Sequence, residues 1–275
     1  MITPARRTAT VTILTMAILV SAAPFVVTLL PAFTSPTQFA RKGVSWPSPF
    51  SLENFLTVLA DPAVVIVPAL STTLVAVVTC VIQMTSSVCA AYAFTRLQFR
   101  GRNLVFMACI GVWLIPPTVL VVPLYLAFAR AGLSGSFVAL ILPTALASPY
   151  ALFLLRQSFE SIPRELFEAA AIDGASHRRI LMSVVLPVCR PALVTLVVVI
   201  TTTTWNSYLW PRMIAGVQLP QVQVAIASLR TQYDDRWTVV MAASVLALLP
   251  TIALVFAIRR LIVQEPAPAR QGDSP

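Results

Sequence analysis

Charge is scarce in this chain. Of its 275 residues only 11% are Asp, Glu, Lys or Arg, and none of these stands between Asp61 and Arg96. Soluble domains keep about a quarter of their residues charged, so a soluble fold is excluded. Histidine occurs once, at His177, and lysine once, at Lys42. A His-based triad or a His/Cys metal centre is therefore not expected, and the candidate catalytic and metal residues are none. The four cysteines, Cys80, Cys89, Cys109 and Cys189, are scattered without a CxxC pair, and three of them fall within apolar runs. They read as small buried side chains rather than as disulfides or ligands. No GxxxxGK[ST] loop is present, so the Gly-rich cradle and lysine that hold ATP are missing.

What the chain has in quantity is apolar sequence, with 58% hydrophobic residues and a mean hydropathy of +0.86. It reads as an all-α, polytopic membrane protein with six spans, at about residues 8–30, 64–90, 104–128, 137–155, 191–210 and 237–258. The first follows Ala5-Arg6-Arg7 and is taken as retained, because its apolar part is too long for a signal peptide and lacks a cleavage pattern. Residues 31–60, rich in Pro, Ser and Thr, suit an external loop. Pro116, Pro117 and Pro123 should kink the third span, since prolines free carbonyls that lipid cannot satisfy. Residues 1–262 are taken as one transmembrane domain and 263–275, polar and Pro-rich, as a disordered cytoplasmic tail. With both termini inside, thirteen of the nineteen basic residues fall in cytoplasmic segments, which favours that orientation over its inverse. The net charge of +9 thus marks the cytoplasmic face and implies no nucleic-acid partner.

Between the fourth and fifth spans lies the one long charged segment, residues 156–187. It reads as two short helices around a turn. Ser161 can cap the first, Pro163 fits its first turn, and Glu165 and Glu168 favour its positive end. Ala169, Ala170 and Ala171 give that helix little bulk, and Gly174 should stop it in a left-handed turn. Ser176 can cap a second helix that ends before Leu186-Pro187. Helices this short need packing to persist, so the hairpin looks made to dock.

Glu168-Ala169-Ala170, then Gly174, then Val184-x-Leu186-Pro187 resembles the EAA loop of binding-protein-dependent ABC importer permeases. The words AYAFTRLQFRGR, IPPTVLVVPLYLAF, LILPTALASPYALFLLRQSF, TTTTWNSYLWP and MAASVLALLP are similar to the maltose-type carbohydrate permeases, in particular the smaller partner of the pair. The resemblance implies a type I ABC importer permease fold, in the cytoplasmic membrane of a prokaryote. It implies a heterodimer with a homologous second permease, two ATPase subunits that bind ATP and Mg, and an extracytoplasmic solute-binding protein. The chain itself would be no enzyme and hold no cofactor. The coupling residues it implies are Glu165, Glu168, Ala169, Ala170, Ala171, Asp173, Gly174, Leu186 and Pro187. The bland alternative is an ordinary amphipathic loop.

A second constellation runs from Thr201 to Trp210. At about 1.5 Å per residue from Arg190, Trp205 lies on the order of 22 Å into the membrane. Thr201, Trp205 and Tyr208 share a helical stripe, with Thr202 and Asn206 on the adjoining one. Thr201, Thr202, Trp205 and Asn206 offer stacking surface and neutral hydrogen-bonding groups to a sugar path; helix packing is the competing account. Tyr208 and Trp210 read as an interfacial belt. Two rivals to an importer remain. A secondary carrier would usually bury an ionisable group, which these spans lack, although sodium coupling through carbonyls stays open. A membrane-embedded transferase would need a polar cluster near one interface, and only the hairpin is rich in acids.

Overall fold

The computed structural model describes residues 4–216, 218–232 and 236–262, which are helical with no strand among them. The expected tail, 263–275, lies outside the described residues. In order the helices are α1 (Pro4–Ala32), α2 (Pro36–Lys42), α3 (Glu53–Ala60), α4 (Ile66–Arg96), α5 (Arg102–Val112), α6 (Pro117–Arg130), α7 (Phe137–Ala145) and α8 (Pro149–Glu160). They continue with α9 (Arg164–Ile172), α10 (His177–Ile180), a π turn (Leu181–Val185), α11 (Leu186–Val188), α12 (Arg190–Trp205), α13 (Leu209–Ile214), α14 (Val222–Gln232) and α15 (Trp237–Ile262).

Three of these are long and apolar enough to cross a bilayer unbroken: α1, α4 and α15. The other three spans are bent pairs. Helices α5 and α6 meet at 95°, α7 and α8 at 42°, and the α10–α11 segment meets α12 at 80°. The first break is sharper than the expected kink. Pro116 bars the α conformation at the residue before it, and Pro117 then starts α6, where its missing N–H costs nothing. Pro149 starts α8 in the same way, behind Ser148, whose Oγ accepts from the Ala151 N–H at 3.1 Å.

The fifth span differs from expectation in its end as well as its bend. Helix α12 stops at Trp205, not near Trp210. The hydroxyls of Thr202, Thr203 and Thr204 donate back to the carbonyls of Val198, Val199 and Ile200 at 2.6, 2.7 and 2.8 Å, and the Asn206 amide donates to Thr202 O at 2.9 Å. The threonine hydroxyls thus share carbonyls that already hold helical N–H bonds, and in the last turn the Thr202 carbonyl gains the Asn206 amide. Tyr208 consequently lies off the stripe of Thr201 and Trp205. Trp210 is packed edge to face against Phe128 and donates its indole N–H to Ala139 O at 3.0 Å, so its polar tip is used inside the protein.

The chain divides into two compact units. One comprises the chain up to Ala69 together with Val222–Leu249. Its core gathers Ala32, Val58, Val64, Leu229, Val239 and Ala243. The segment expected as a loop here holds α2 and α3, and α3 carries a fully buried Asn54. Its amide donates to Ala32 O at 3.0 Å and Thr34 O at 2.8 Å, and its carbonyl accepts from the Thr238 hydroxyl at 2.8 Å. In the same unit, none of the residues in the apolar window of α1 is buried, as suits a helix surrounded by lipid.

The other unit comprises Leu70–Gln221 and the chain from Pro250. Its larger core joins Tyr92 and Phe94 of α4, Phe106 of α5, Leu152, Leu155 and Phe159 of α8, Val185 of the π turn, and Leu196 and Ile200 of α12. A smaller core sets Val75 against Phe128, Leu140 and Ile214. All four cysteines are free; Cys189 is buried as expected, whereas Cys89 is exposed.

The Asn54 node sets a stability prediction. Asn54→Leu orphans two buried carbonyls and a hydroxyl, each worth about 1–3 kcal/mol. Its thermal unfolding midpoint in lipid nanodiscs is expected to fall by several degrees, while Leu56→Ala, one turn-face away and exposed, leaves it nearly unchanged.

Candidate functional site

The charged hairpin begins later than its sequence implies, because α8 runs on to Glu160. Ser161 does not cap the helix that follows. It closes α8, its N–H on Gln157 O and its hydroxyl donating to Ser158 O at 2.8 Å. Pro163 takes the cap position of α9 with an extended ψ of 140°, and no side chain caps that end. The sequence signal misled because Ser, unlike Pro, serves either end of a helix.

The far end of α9 matches expectation. Asp173 is its last half-turn residue, and Gly174 follows at φ 72°. The Gly174 N–H bonds to Ala171 O and the Ala175 N–H to Ala170 O, both at 3.0 Å, a paired closure that needs a left-handed residue at position 174. Ser176 then caps α10, accepting from the Arg179 N–H at 3.4 Å. The second helix does not stop before Leu186-Pro187. A π turn carries it through to Val188, with the Leu186 N–H reaching back to Leu181 O, so Pro187 sits at a new helix start where it needs no N–H.

Of the named coupling residues, Glu165, Glu168, Ala169, Ala171, Asp173 and Gly174 are exposed, and Ala170 is half-buried. Leu186 is half-buried and packs on the core of this unit, and Pro187 is exposed at the start of α11. Spacing puts Glu165, Glu168, Ala169 and Ile172 on one face of α9. Ile172 is 86% exposed, a large apolar side chain at the hairpin tip that the sequence reading did not single out. The composite is a short helix with two carboxylates, small alanines and one apolar anchor facing out.

The opposite face is clamped. Arg96, at the end of α4, donates from Nη2 to Phe159 O at 2.8 Å and to Ile162 O at 3.4 Å, meeting the free carbonyls at the end of α8. Its guanidinium also lies 3.4 Å from the ring centroid of Phe167 in α9. Four residues earlier, the Tyr92 hydroxyl and His177 Nδ1 form a hydrogen-bonded pair at 3.0 Å. Helix α4 thereby grips both arms of the hairpin through two side chains one turn apart. Arg96 was read from sequence only as a mark of the cytoplasmic side; the motif AYAFTR held both gripping residues, but nothing in their spacing says what they touch. A neighbouring Arg156 stacks 4.0 Å from the Phe106 centroid and pairs with Glu160 at 2.8 Å.

The second constellation is only partly assembled. Thr201, Thr202 and Trp205 line a cavity of about 340 Å³ with Ala76, Val77, Cys80, Val197 and Leu254, so their surround is almost wholly apolar. Asn206 is not part of that lining and serves the end of α12.

Comparison with known proteins accords with this architecture. Residues 83–266 match the family model described as the binding-protein-dependent transport system inner membrane component. The chain is 27% identical, over 87% of each chain, to an arabinooligosaccharides transport system permease protein, AraQ, of Halalkalibacterium halodurans. It is 35% identical, over 66% of each, to an sn-glycerol-3-phosphate transport system permease protein, UgpE, of Yersinia enterocolitica. A solved structure of a bacterial ABC transporter involved in importing the acidic polysaccharide alginate superposes with a TM-score of 0.80, over 94% of this chain and 98% of that one, at 21% identity. Six apolar spans, three of them bent, a gripped cytoplasmic-type hairpin and a family match over two thirds of the sequence lead to one conclusion: the chain belongs to the binding-protein-dependent transport system inner membrane components.

Proposed function

We propose that this chain is one permease subunit of an ABC importer for a sugar or related polyol. Two ATPase subunits dock on its hairpin and on that of a homologous second permease, and they alone bind ATP and Mg. An extracytoplasmic solute-binding protein delivers the solute, and both termini face the cytoplasm. Relatives named for arabinooligosaccharide and glycerol-phosphate transport support the solute class.

The observation that carries the reading is the two-sided hairpin. One face of α9 presents Glu165, Glu168 and Ile172 outward, and the other is held to α4 and α8 by Arg96. A partner that moves Ile172 and Glu168 therefore moves Phe167, and through Arg96 pulls on a membrane-crossing helix. Small side chains at Ala169 and Ala171 let the partner's surface approach the α9 backbone. Gly174 fixes the angle between the two arms.

Three variants test the chain of contacts. Glu168→Lys replaces attraction by repulsion, worth on the order of 2 kcal/mol at a desolvated interface. Solute-stimulated ATP hydrolysis of the complex purified with this chain is expected to fall by about thirtyfold while the protein still inserts. At Gly174 an added Cβ meets nothing within 4 Å, so only backbone strain is at issue. Gly174→Val is expected to impair coupling, and Gly174→Asn, which tolerates a left-handed backbone, to restore most of it. Normal uptake and hydrolysis in Glu168→Lys and Gly174→Val together would overturn the proposal, as would a chain that carries solute alone in ATP-free vesicles.

Arg96→Met removes a charged donor and a cation–π contact, together about 2–4 kcal/mol. Trypsin cleavage at Arg164, Arg178 and Arg179 in vesicles with the cytoplasmic face outward is expected to quicken, with partial recovery in Arg96→Lys. An unchanged cleavage rate would mean that the hairpin is held by its apolar contacts and the Tyr92–His177 pair without Arg96.

A further inference from the structure

A second cavity, of about 450 Å³, opens on the face of α12 opposite Thr201 and Trp205. Its walls come from α4, from the break between α7 and α8, and from the break between α12 and α13. The lining differs in kind from that of the first cavity. It includes Gln83, Thr144, Ser207, Trp210 and Gln221 among apolar residues, and no charged side chain. Volume and lining both fall in the range of small-molecule sites, about 300–1,000 Å³ with a few placed polar groups in apolar walls.

Most of those polar groups are held by the chain. Gln221 donates to Ser71 Oγ at 2.7 Å, the Trp210 indole is fixed on Ala139 O, and the Thr144 hydroxyl bonds back to Ile141 O at 3.2 Å. The Ser207 hydroxyl is not, and neither is Gln83. It is 8% exposed, lines the cavity, and its side-chain amide makes no hydrogen bond to any described residue. An amide brings two donors and an acceptor, and here they open on the cavity with no described residue to meet them, whereas Leu or Met would fill the same space with nothing to offer what enters it. One turn to either side on the same stripe of α4, the Thr79 and Ser87 hydroxyls are also buried without a partner among the described residues. Neither of those two lines the cavity, so within the stripe the group offered to a solute is Gln83.

We propose that this cavity binds one neutral, polyhydroxylated ring, with the Gln83 amide and Ser207 hydroxyl bonding ring hydroxyls and Trp210 giving apolar surface to the ring's C–H face. The chain itself then contacts the transported solute, and Gln83 is a specificity-determining residue. An anionic solute is disfavoured, because a phosphate or carboxylate at this depth would need a cation and none lines the cavity. The proposal rests on the importer reading for the solute's arrival, but its test does not.

The assembled complex in proteoliposomes, with Cys80, Cys89, Cys109 and Cys189 replaced by alanine, is given one new cysteine, Gln83→Cys or Ser207→Cys, and treated with the water-soluble cationic thiol reagent MTSET. Both positions are expected to react, and Leu74→Cys, on an exposed apolar face of α4, is not. A pooled mixture of neutral mono- and disaccharides at ten times the Kd should slow the reaction about tenfold, and glycerol 3-phosphate should not. Failure of both cysteines to react overturns the proposal, as does reaction that no neutral sugar slows, or protection by glycerol 3-phosphate alone. Should Gln83→Cys not assemble, Ser207→Cys decides. With native cysteines, Gln83→Leu is expected to raise the KM for uptake of the accepted sugar about tenfold, with Gln83→Asn closer to wild type; an unchanged KM overturns the role of Gln83. Glu168-dependent ATP hydrolysis beside unreactive cysteines would leave the importer standing and remove the subsite. Sugar-protected cysteines without any ATPase would do the reverse.

Discussion

Hydrocarbon offers no hydrogen bonds, and most of this structure answers that constraint. A helix can end within an apolar surround only where something else meets its last carbonyls and first N–H groups. Ser148 does so for the start of α8, the Asn206 amide for a carbonyl in the last turn of α12, and the Trp210 indole for a carbonyl of α7. Three of the six spans are broken, and side chains at the α7–α8 break and at the end of α12 also wall the polar cavity. Breaking the helices and opening a wet site at depth are thus one solution: the groups needed to end a helix are the groups a polar solute can use.

At the end of α4 the same constraint takes an ionic form. Arg96 has no carboxylate partner among the described residues; its charge is met by the carbonyls that α8 leaves free and by the face of Phe167. A carboxylate would have held the arginine tightly but given it nothing to transmit. Carbonyls at a helix end and a ring on the hairpin make it a joint between three elements. His177, the sole histidine of the chain, adds a second joint through Tyr92, so the two arms of the hairpin answer to one helix.

Apolar runs free of charge made the six spans legible in the sequence, and Gly174 and Ser176 behaved as their backbone preferences dictate, because caps and left-handed turns are decided within a few residues. Pro116-Pro117 marked the break in the third span, whereas Pro123 lies inside α6. The end of α12 was not legible. Threonines in a row look like groups offered to a neighbour, and only the structure shows them turned back on their own helix, so the path residues Thr201, Thr202 and Trp205 face an apolar surround. Gln83 was passed over for the opposite reason: a single amide in a long apolar run carries no pattern, and its isolation appears only when its neighbours from α7 and α12 are in place. Arg96 was hidden because its partners are far apart in sequence, and Ile172 because a lone exposed apolar residue carries no pattern.

Helix α1 buries no part of its apolar window against the chain, whereas each bent pair has a break that neighbours must close. That difference bears on biogenesis. An unbroken helix that lacks only the bonds Pro24 and Pro31 cannot donate can leave the translocation channel for lipid as soon as it is made. The α7–α8 pair cannot, since until α7 and α13 are both present the carbonyl of Ala139 and the indole of Trp210 have nothing to meet. The first span can enter the bilayer during synthesis, while the middle of the chain has to be gathered before lipid closes around it.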